Sequence, residues 1–260
     1  MNKLYLFKEW LQMQEGVSYS TDAVFVFNWS DAKPDDVISL KLKPYRGRDL
    51  VFPNSDLHYT NFYAYQINRS EHSVDLLTKI KLMDDTIAEK DLTVFVNKAV
   101  SGFHRQFNIG KFDAIVSIQS SSKILAEVNK QLQEKAGNIP LFSEAFVKNA
   151  SSEITIDQAG YDKLPPQSKE KIDQSLKLAL KSPNGFKMRS VGPQFRKFFQ
   201  NFIKFNKEDD RVLYNAVNGK RVIVVDDYKT SGATLHEMLR QLAEFGAAEV
   251  VVFVLVKLGK

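Results

Sequence analysis

The run Val222-Ile223-Val224-Val225 constrains what this 260-residue chain can fold into more than any other stretch. It is β-branched, uninterrupted and short, the pattern of a strand buried on both faces of a parallel sheet. Asp226 and Asp227 end it, and Tyr228 to Gly232 then turn into a helix that starts near Ala233. The carboxyl end of a buried strand, facing a helix N-terminus, is the usual ligand position in open α/β sheets.

The backbone N–H groups of Tyr228 to Gly232 suit a phosphate, as do the Thr230, Ser231 and Thr234 hydroxyls and the positive end of the helix dipole. Gly232 lets the backbone approach closely. Asp226 and Asp227 can accept hydrogen bonds from vicinal hydroxyls, so the whole segment fits a sugar phosphate. A helix cap alone needs one acid and one hydroxyl. Neither G-x-x-x-x-G-K-S/T nor G-x-G-x-x-G occurs in the chain.

Val222 to Thr234 resembles the signature of the type I phosphoribosyltransferases: four apolar residues, two acidic ones, then a short loop ending Thr-Ser-Gly, with a Thr two residues later. The resemblance implies binding of phosphoribosyl pyrophosphate (PRPP). Asp226 and Asp227, the implied catalytic pair, take the ribose 2′ and 3′ hydroxyls. Tyr228, Lys229, Thr230, Ser231, Gly232 and Thr234 hold the 5′-phosphate. Tyr228 and Lys229 are bulkier or more polar than the small apolar pair often found there. Mg²⁺ is the implied cofactor, carried by the substrate rather than by direct protein ligands.

Upstream, Phe112 to Val116 reads as a second buried strand, followed by Ser117-Ile118-Gln119-Ser120-Ser121-Ser122-Lys123 and a helix with Ile124, Leu125, Val128 and Leu132 on one face. Hydroxyls, backbone donors and one cation in such a loop can meet an anion. Alone, the loop would read as a Ser-rich helix cap. Relatives bind pyrophosphate on a loop in this position, which makes Ser117, Gln119, Ser120, Ser121, Ser122 and Lys123 the implied contacts.

Between the two loops lie about a hundred residues, more than a plain crossover needs. Pro140 to Ala145 reads as a core strand, 148–166 as polar and irregular, and 168–181 as helical. Relatives place in this interval a mobile loop that closes on PRPP; Lys148, Lys187, Arg189 and Arg196 are its candidate cations. After Gly232, the positions Leu235, Met238, Leu239 and Leu242 form a helix face, Gly246 ends that helix, and Val250 to Val256 is a further buried strand. Lys257 resembles the lysine that contacts the 6-oxo group in 6-oxopurine phosphoribosyltransferases. Thr230 replaces the Asp usual in those enzymes, so a solvated strand-end lysine stays open beside a base contact.

Residues 1–110 are aromatic-rich. Asp22 to Trp29 and Val37 to Leu42 read as a hairpin; Tyr45 to Asp49 with Tyr59 to Tyr65 mixes cations and aromatics able to stack on a base, though such a mix is more often a loop ahead of a half-buried strand; and two amphipathic helices follow, with Val74, Leu77 and Ile80 on one and Leu92 to Phe107 on the other. His58, His72 and His104 stand isolated, which argues against a protein-held metal. There is no cysteine, hence no disulfide and no thiolate chemistry, and no apolar run approaches membrane-spanning length. A net charge of +5 suits an anionic ligand, a nucleic acid, or simply solvated lysines.

These readings give an α/β fold of type I phosphoribosyltransferase kind, with a mostly parallel sheet flanked by helices. Residues 1–110 form an N-terminal hood or extension and 111–260 the core, with a long insert or lid over about 146–215. The expected function is phosphoribosyl transfer from PRPP to a nitrogenous acceptor in the cytoplasm, with no membrane association. The alternative is a non-catalytic PRPP sensor that binds nucleic acid or a protein partner. The acceptor and a homodimeric state are left open.

Overall fold

The structure is a computed structural model and describes residues 24–27, 38–67, 77, 80–81, 89–180, 191–192, 194–206, 210–229 and 231–258. Val222–Val225 falls inside strand β10 (Arg221–Lys229). This strand pairs in parallel with β11 (Glu249–Leu258) on one side and with β5 (Ala114–Ile118) on the other. Next to these, also parallel, lie β4 (His58–Ile67) beside β11 and β6 (Leu141–Lys148) beside β5.

Antiparallel strands finish both edges. On one side β9 (Ile203–Phe205) pairs with β6; on the other β2 (Ile38–Arg46) and β3 (Leu50–Val51) pair with β4, and β1 (Val24–Phe27) pairs with β2. Among the described residues the order is β1-β2-β4-β11-β10-β5-β6-β9, with β3 off this path. A separate ribbon joins β7 (Thr155–Ile156) to β8 (Phe199–Gln200). The mixed α/β architecture with a mostly parallel centre is the one the sequence predicts.

Strand alternation divides the core between the two sheet faces. Ile223, Val225, Val251 and Phe253 pack with α1 (Glu89–Gln106) and α2 (Lys123–Ala136) through Phe95, Phe103, Ile124 and Val128. Val222, Val224, Val250 and Val252 pack on the opposite face with α5 (Asp210–Val217) and α6 (Ala233–Glu244) through Leu213, Leu235 and Met238. Each such side chain, fully buried, contributes about 1.5–3 kcal/mol. The segment between β6 and β9 adds two helices, α3 (Gln158–Asp162) and α4 (Pro166–Leu180), and Ile172 of α4 reaches the second face.

The N-terminal hairpin pairs as expected, from Val24↔Lys41 to Phe27↔Ile38. Tyr59 to Tyr65 corrects the reading of a half-buried strand: within β4, Phe62, Tyr63, Ala64 and Tyr65 are buried. The cause is its place between β2 and β11, with core on both faces. Tyr45 and Arg46 finish β2 rather than forming a loop. Over their described part, residues 1–110 extend the same sheet as the C-terminal strands. The predicted strand at Pro140–Ala145 is β6, displaced toward Lys148 because its far end pairs with β9.

Candidate functional site

Where β10 leaves the core, Asp226 and Asp227 are 7% and 5% exposed. They border a cavity of about 710 Å³ that is also lined by the start of α6 and by the loop between β5 and α2. Parallel pairing brings these parts together: β5 and β10 are neighbours, so both strand-to-helix loops open at the same sheet end.

The phosphate-type loop is shaped by one glycine. Gly232 caps α6 with φ 79°, in the left-handed region, and a Cβ there would meet Lys229 Cε at 2.8 Å. Its carbonyl accepts the His236 N–H at 2.8 Å, the first turn of the helix. Ser231, Gly232, Ala233 and Thr234 all line the cavity. Thr230 lies outside the described residues.

Burial, and then the charge of Asp227, push the Asp226 carboxyl well above its ordinary range; the Lys81 ammonium acts in the opposite sense. Lys81 Nζ lies 3.2 Å from Asp227 Oδ2. Asp227 Oδ1 accepts the Tyr228 N–H at 2.8 Å, whereas Oδ2 is buried with no aligned hydrogen-bond donor. Burial, followed by the Asp227 charge, also pushes the Tyr228 phenol well up. Tyr228 lines the cavity, and its buried hydroxyl has no hydrogen-bond partner.

Of the β5–α2 loop, Gln119, Ser120 and Ser121 reach the cavity. Gln119 is fixed by its N–H to Phe146 O at 2.7 Å and by Nε2 to Glu144 at 3.3 Å. Ser117 and Ser122 serve the fold. The Ser117 hydroxyl is fully buried, donating to Ser143 O and accepting from Asn129 Nδ2, both at 2.9 Å. Ser122 Oγ caps α2 by accepting the Leu125 N–H at 3.3 Å. Lys123 is exposed on the first turn of α2 and does not line the cavity.

Lys148, at the end of β6, and Arg196 also line the cavity; Lys187 and Arg189 lie outside the described residues. Lys229 turns away from it. Its Nζ donates to Tyr63 Oη at 2.5 Å and sits 4.9 Å from the Tyr63 ring centre. Lys257, in parallel register with Lys229, approaches the same ring at 4.8 Å. Burial lowers the Lys229 ammonium from its usual range, against the Asp226 charge.

Sequence reading missed Lys81, Phe202 and Ile203, which also border the cavity. Lys81 had no motif, and Phe195, Phe198, Phe199 and Phe202 are spaced as on a helix, whereas the chain there forms a 3-10 turn at Arg196–Phe198 followed by β8 and β9.

Among the described residues no group of three or more His, Cys, Asp or Glu could hold a metal ion. Asp227, whose Oδ2 meets only the Lys81 ammonium, and its neighbour Asp226 offer at most two carboxylates. Such a donor set fits Mg²⁺ only where a phosphorylated ligand supplies the remaining oxygens. No helix among the described residues is long and apolar enough to cross a membrane.

Residues 203–260 match the family model of the phosphoribosyl transferase domain, a segment that takes in β9, β10, α6 and β11. Over 194 residues the chain is 28% identical to Transcriptional regulator GfcR 2 from Methanosarcina barkeri, covering 74% of this chain and 77% of that protein. Among solved structures, one similar chain is a hypothetical protein from Neisseria gonorrhoeae with bound ppGpp, at a TM-score of 0.37 and 16% identity, covering 66% of this chain and 69% of that one. Another is the glutamine PRPP amidotransferase from B. subtilis complexed with ADP and GMP, at a TM-score of 0.35 and 19% identity, covering 68% of this chain and 30% of that one.

Proposed function

We propose that this phosphoribosyl transferase-type chain binds PRPP in the cavity bordered by Asp226 and Asp227 and transfers its 5-phosphoribosyl group to a nitrogenous acceptor, releasing pyrophosphate. The observation that carries the reading is the buried Asp226–Asp227 pair, which shares one cavity with both strand-to-helix loops. In the reaction the bond from ribose C1 to the pyrophosphate oxygen breaks, and its electron pair leaves with pyrophosphate. A bond from C1 to the acceptor nitrogen forms, and the nitrogen loses a proton.

Asp226 and Asp227 accept the ribose hydroxyls and place negative charge near C1, a positioning and electrostatic role. The N–H groups and hydroxyls of Ser231 to Thr234 hold the 5′-phosphate, with Thr230 between them and β10. Gln119, Ser120 and Ser121 face the pyrophosphate, and Lys148 and Arg196 add positive charge beside it. Excluding water matters, because an oxocarbenium-like C1 is readily hydrolysed. When bound, Mg²⁺ neutralises the leaving pyrophosphate. In this reading residues 1–110 are an extension ahead of a core over 111–260, and 146–215 is the lid-bearing insert of a cytoplasmic protein.

A second reading, a PRPP-responsive regulator without transferase turnover, is favoured by the 28% identity to a transcriptional regulator over 74% of the chain. Calorimetry with PRPP and Mg²⁺, followed by pyrophosphate release across purine, pyrimidine, nicotinamide and amine acceptors, tests both. Acceptor-dependent release supports the transferase. Binding without release supports the regulator, and absence of binding overturns both.

A further inference from the structure

A second cavity, of about 560 Å³, shares Arg196, Ser231, Gly232 and Ala233 with the first and extends along α6 toward β4. Its size suits a ligand of small-molecule class. Three cations line it, Arg196, Lys197 and Lys229. Its carboxylate, Glu237, is already engaged, since Arg240 donates to both of its oxygens at 2.6 and 3.0 Å. The field inside the cavity therefore favours an anion.

The remaining walls carry rings and amides. Tyr59 and His236 stand on facing elements, each in ring contact with Phe52, at 6.4 and 5.0 Å. Phe199 adds a third ring to the lining, and Asn61 and Gln194 offer both donors and acceptors. Burial lowers the His236 imidazole below its ordinary range, which keeps it a neutral stacking surface near pH 7. Rings able to stack on a base, beside cations able to meet a phosphate, form a recurring nucleotide-binding combination.

A separate observation concerns the lysines. Lys229 and Lys257 are directly opposite in parallel register, 4.9 and 4.8 Å from one tyrosine ring. Two ammonium groups thus share one ring at the wall that Lys229 contributes to this cavity.

We propose that this second cavity is a binding site for a nucleoside phosphate, distinct from the PRPP cavity and touching it through Ser231 to Ala233. A ligand there presses on the back of the phosphate-holding loop, so it changes affinity in the first cavity, and the coupling is reciprocal. The assignment stands on this cavity's own lining and does not rest on the reading of the first cavity as a PRPP site.

The test is calorimetry on the full chain with a panel of ribonucleoside mono- and diphosphates, using ribose 5-phosphate as the base-free control. It compares the parent, Asp226→Asn/Asp227→Asn, Lys197→Glu and Tyr59→Leu. Lys197 is exposed, so its replacement leaves the fold intact. The expected result is a nucleotide that binds the double variant within about twofold of the parent, and at least about tenfold more weakly to Lys197→Glu and Tyr59→Leu. Ribose 5-phosphate is expected to bind at least about tenfold more weakly than that nucleotide. The proposal is overturned if no panel member binds the parent, if binding ignores Lys197→Glu and Tyr59→Leu, or if it vanishes in Asp226→Asn/Asp227→Asn. PRPP binding by the parent, titrated separately, bears only on the first cavity, so failure of one reading is distinguishable from failure of the other.

Discussion

Glu237 Oε1 accepts the backbone N–H of Asn201 at 3.0 Å, joining α6 to the turn between β8 and β9 that walls the cavity. Asn201 is in the left-handed region, with φ 57°, and its side chain binds Arg240 Nη2 at 2.9 Å and Thr155 Oγ1 at 3.0 Å. Two residues on, the Ile203 carbonyl accepts Gln241 Nε2 at 2.6 Å. The turn carrying Phe202 and Ile203 is thereby clamped to α6.

Replacing the buried carboxylate leaves the Asn201 N–H without its acceptor and strips Arg240 of its most buried partner, leaving it Glu244 and the Asn201 side chain. Glu237→Ala is expected to destabilise the protein by on the order of 3 kcal/mol in chemical denaturation. PRPP affinity, measured below the unfolding transition, is expected to fall as well, because the cavity wall loses its anchor. An affinity equal to the parent's would show that this clamp does not position the wall.

Asp226 sets a pH-dependent opposition between stability and ligand binding. Its carboxyl is held above the ordinary 3.8, chiefly by burial. The stability it contributes is therefore fully present below about pH 3.8 and is lost as pH rises through the elevated folded value. Asp226→Asn removes that loss, so its unfolding temperature is expected to exceed the parent's by a growing margin from pH 4 toward pH 8. The same variant is expected to lose PRPP binding. A constant or shrinking margin across that range would contradict the burial argument.

Gly232→Ala meets two obstacles, a positive φ and the Lys229 Cε at 2.8 Å from the new methyl. The backbone term alone costs about 1–3 kcal/mol. Adding Lys229→Ala is expected to recover only the steric part. Urea midpoints of the two single variants and the double variant separate the terms; full recovery in the double variant would mean that the left-handed backbone carries no cost.

Lys81→Met removes the ammonium 3.2 Å from Asp227 and the influence that lowers the Asp226 carboxyl. Ionisation of Asp226 then requires a higher pH. The midpoint of PRPP binding against pH is expected to move upward, with affinity at neutral pH reduced about tenfold or more. Binding titrations across pH read both; an unmoved midpoint would remove Lys81 from the site.

The centre of the site was legible because its local rules agree: an apolar run, two acids and a glycine turn can only be a buried strand entering a helix. The pattern at Ser117 to Lys123 fixed a strand-loop-helix but not its orientation, since serine serves equally as cap, core donor or ligand contact. Ser122 became the cap and Ser117 a core donor, while Ser120 and Ser121 face the cavity. β4 was underread because Tyr59, Thr60, Asn61 and Tyr63 carry polar atoms. Burial of its tyrosines depends on partners far along the chain, such as the Phe95 carbonyl that accepts Tyr65 Oη at 2.7 Å. Lys81 was invisible for a related reason: only tertiary packing brings it to Asp227.

β11 lies between β10 and β4, and its register with β4 runs unbroken at its start, from Glu249↔His58 to Val254↔Tyr63. During synthesis, β4 leaves the ribosome about 180 residues ahead of the strand that pairs with it. At about 5–20 residues per second that interval is on the order of 10–40 s. Throughout it, one edge of an aromatic-rich strand has no hydrogen-bonding neighbour in the growing chain, the condition that invites pairing with other chains. Strand β10, which carries Asp226 and Asp227, likewise emerges before the neighbour that completes its second edge, so the cavity they border takes shape only when β11 closes the sheet.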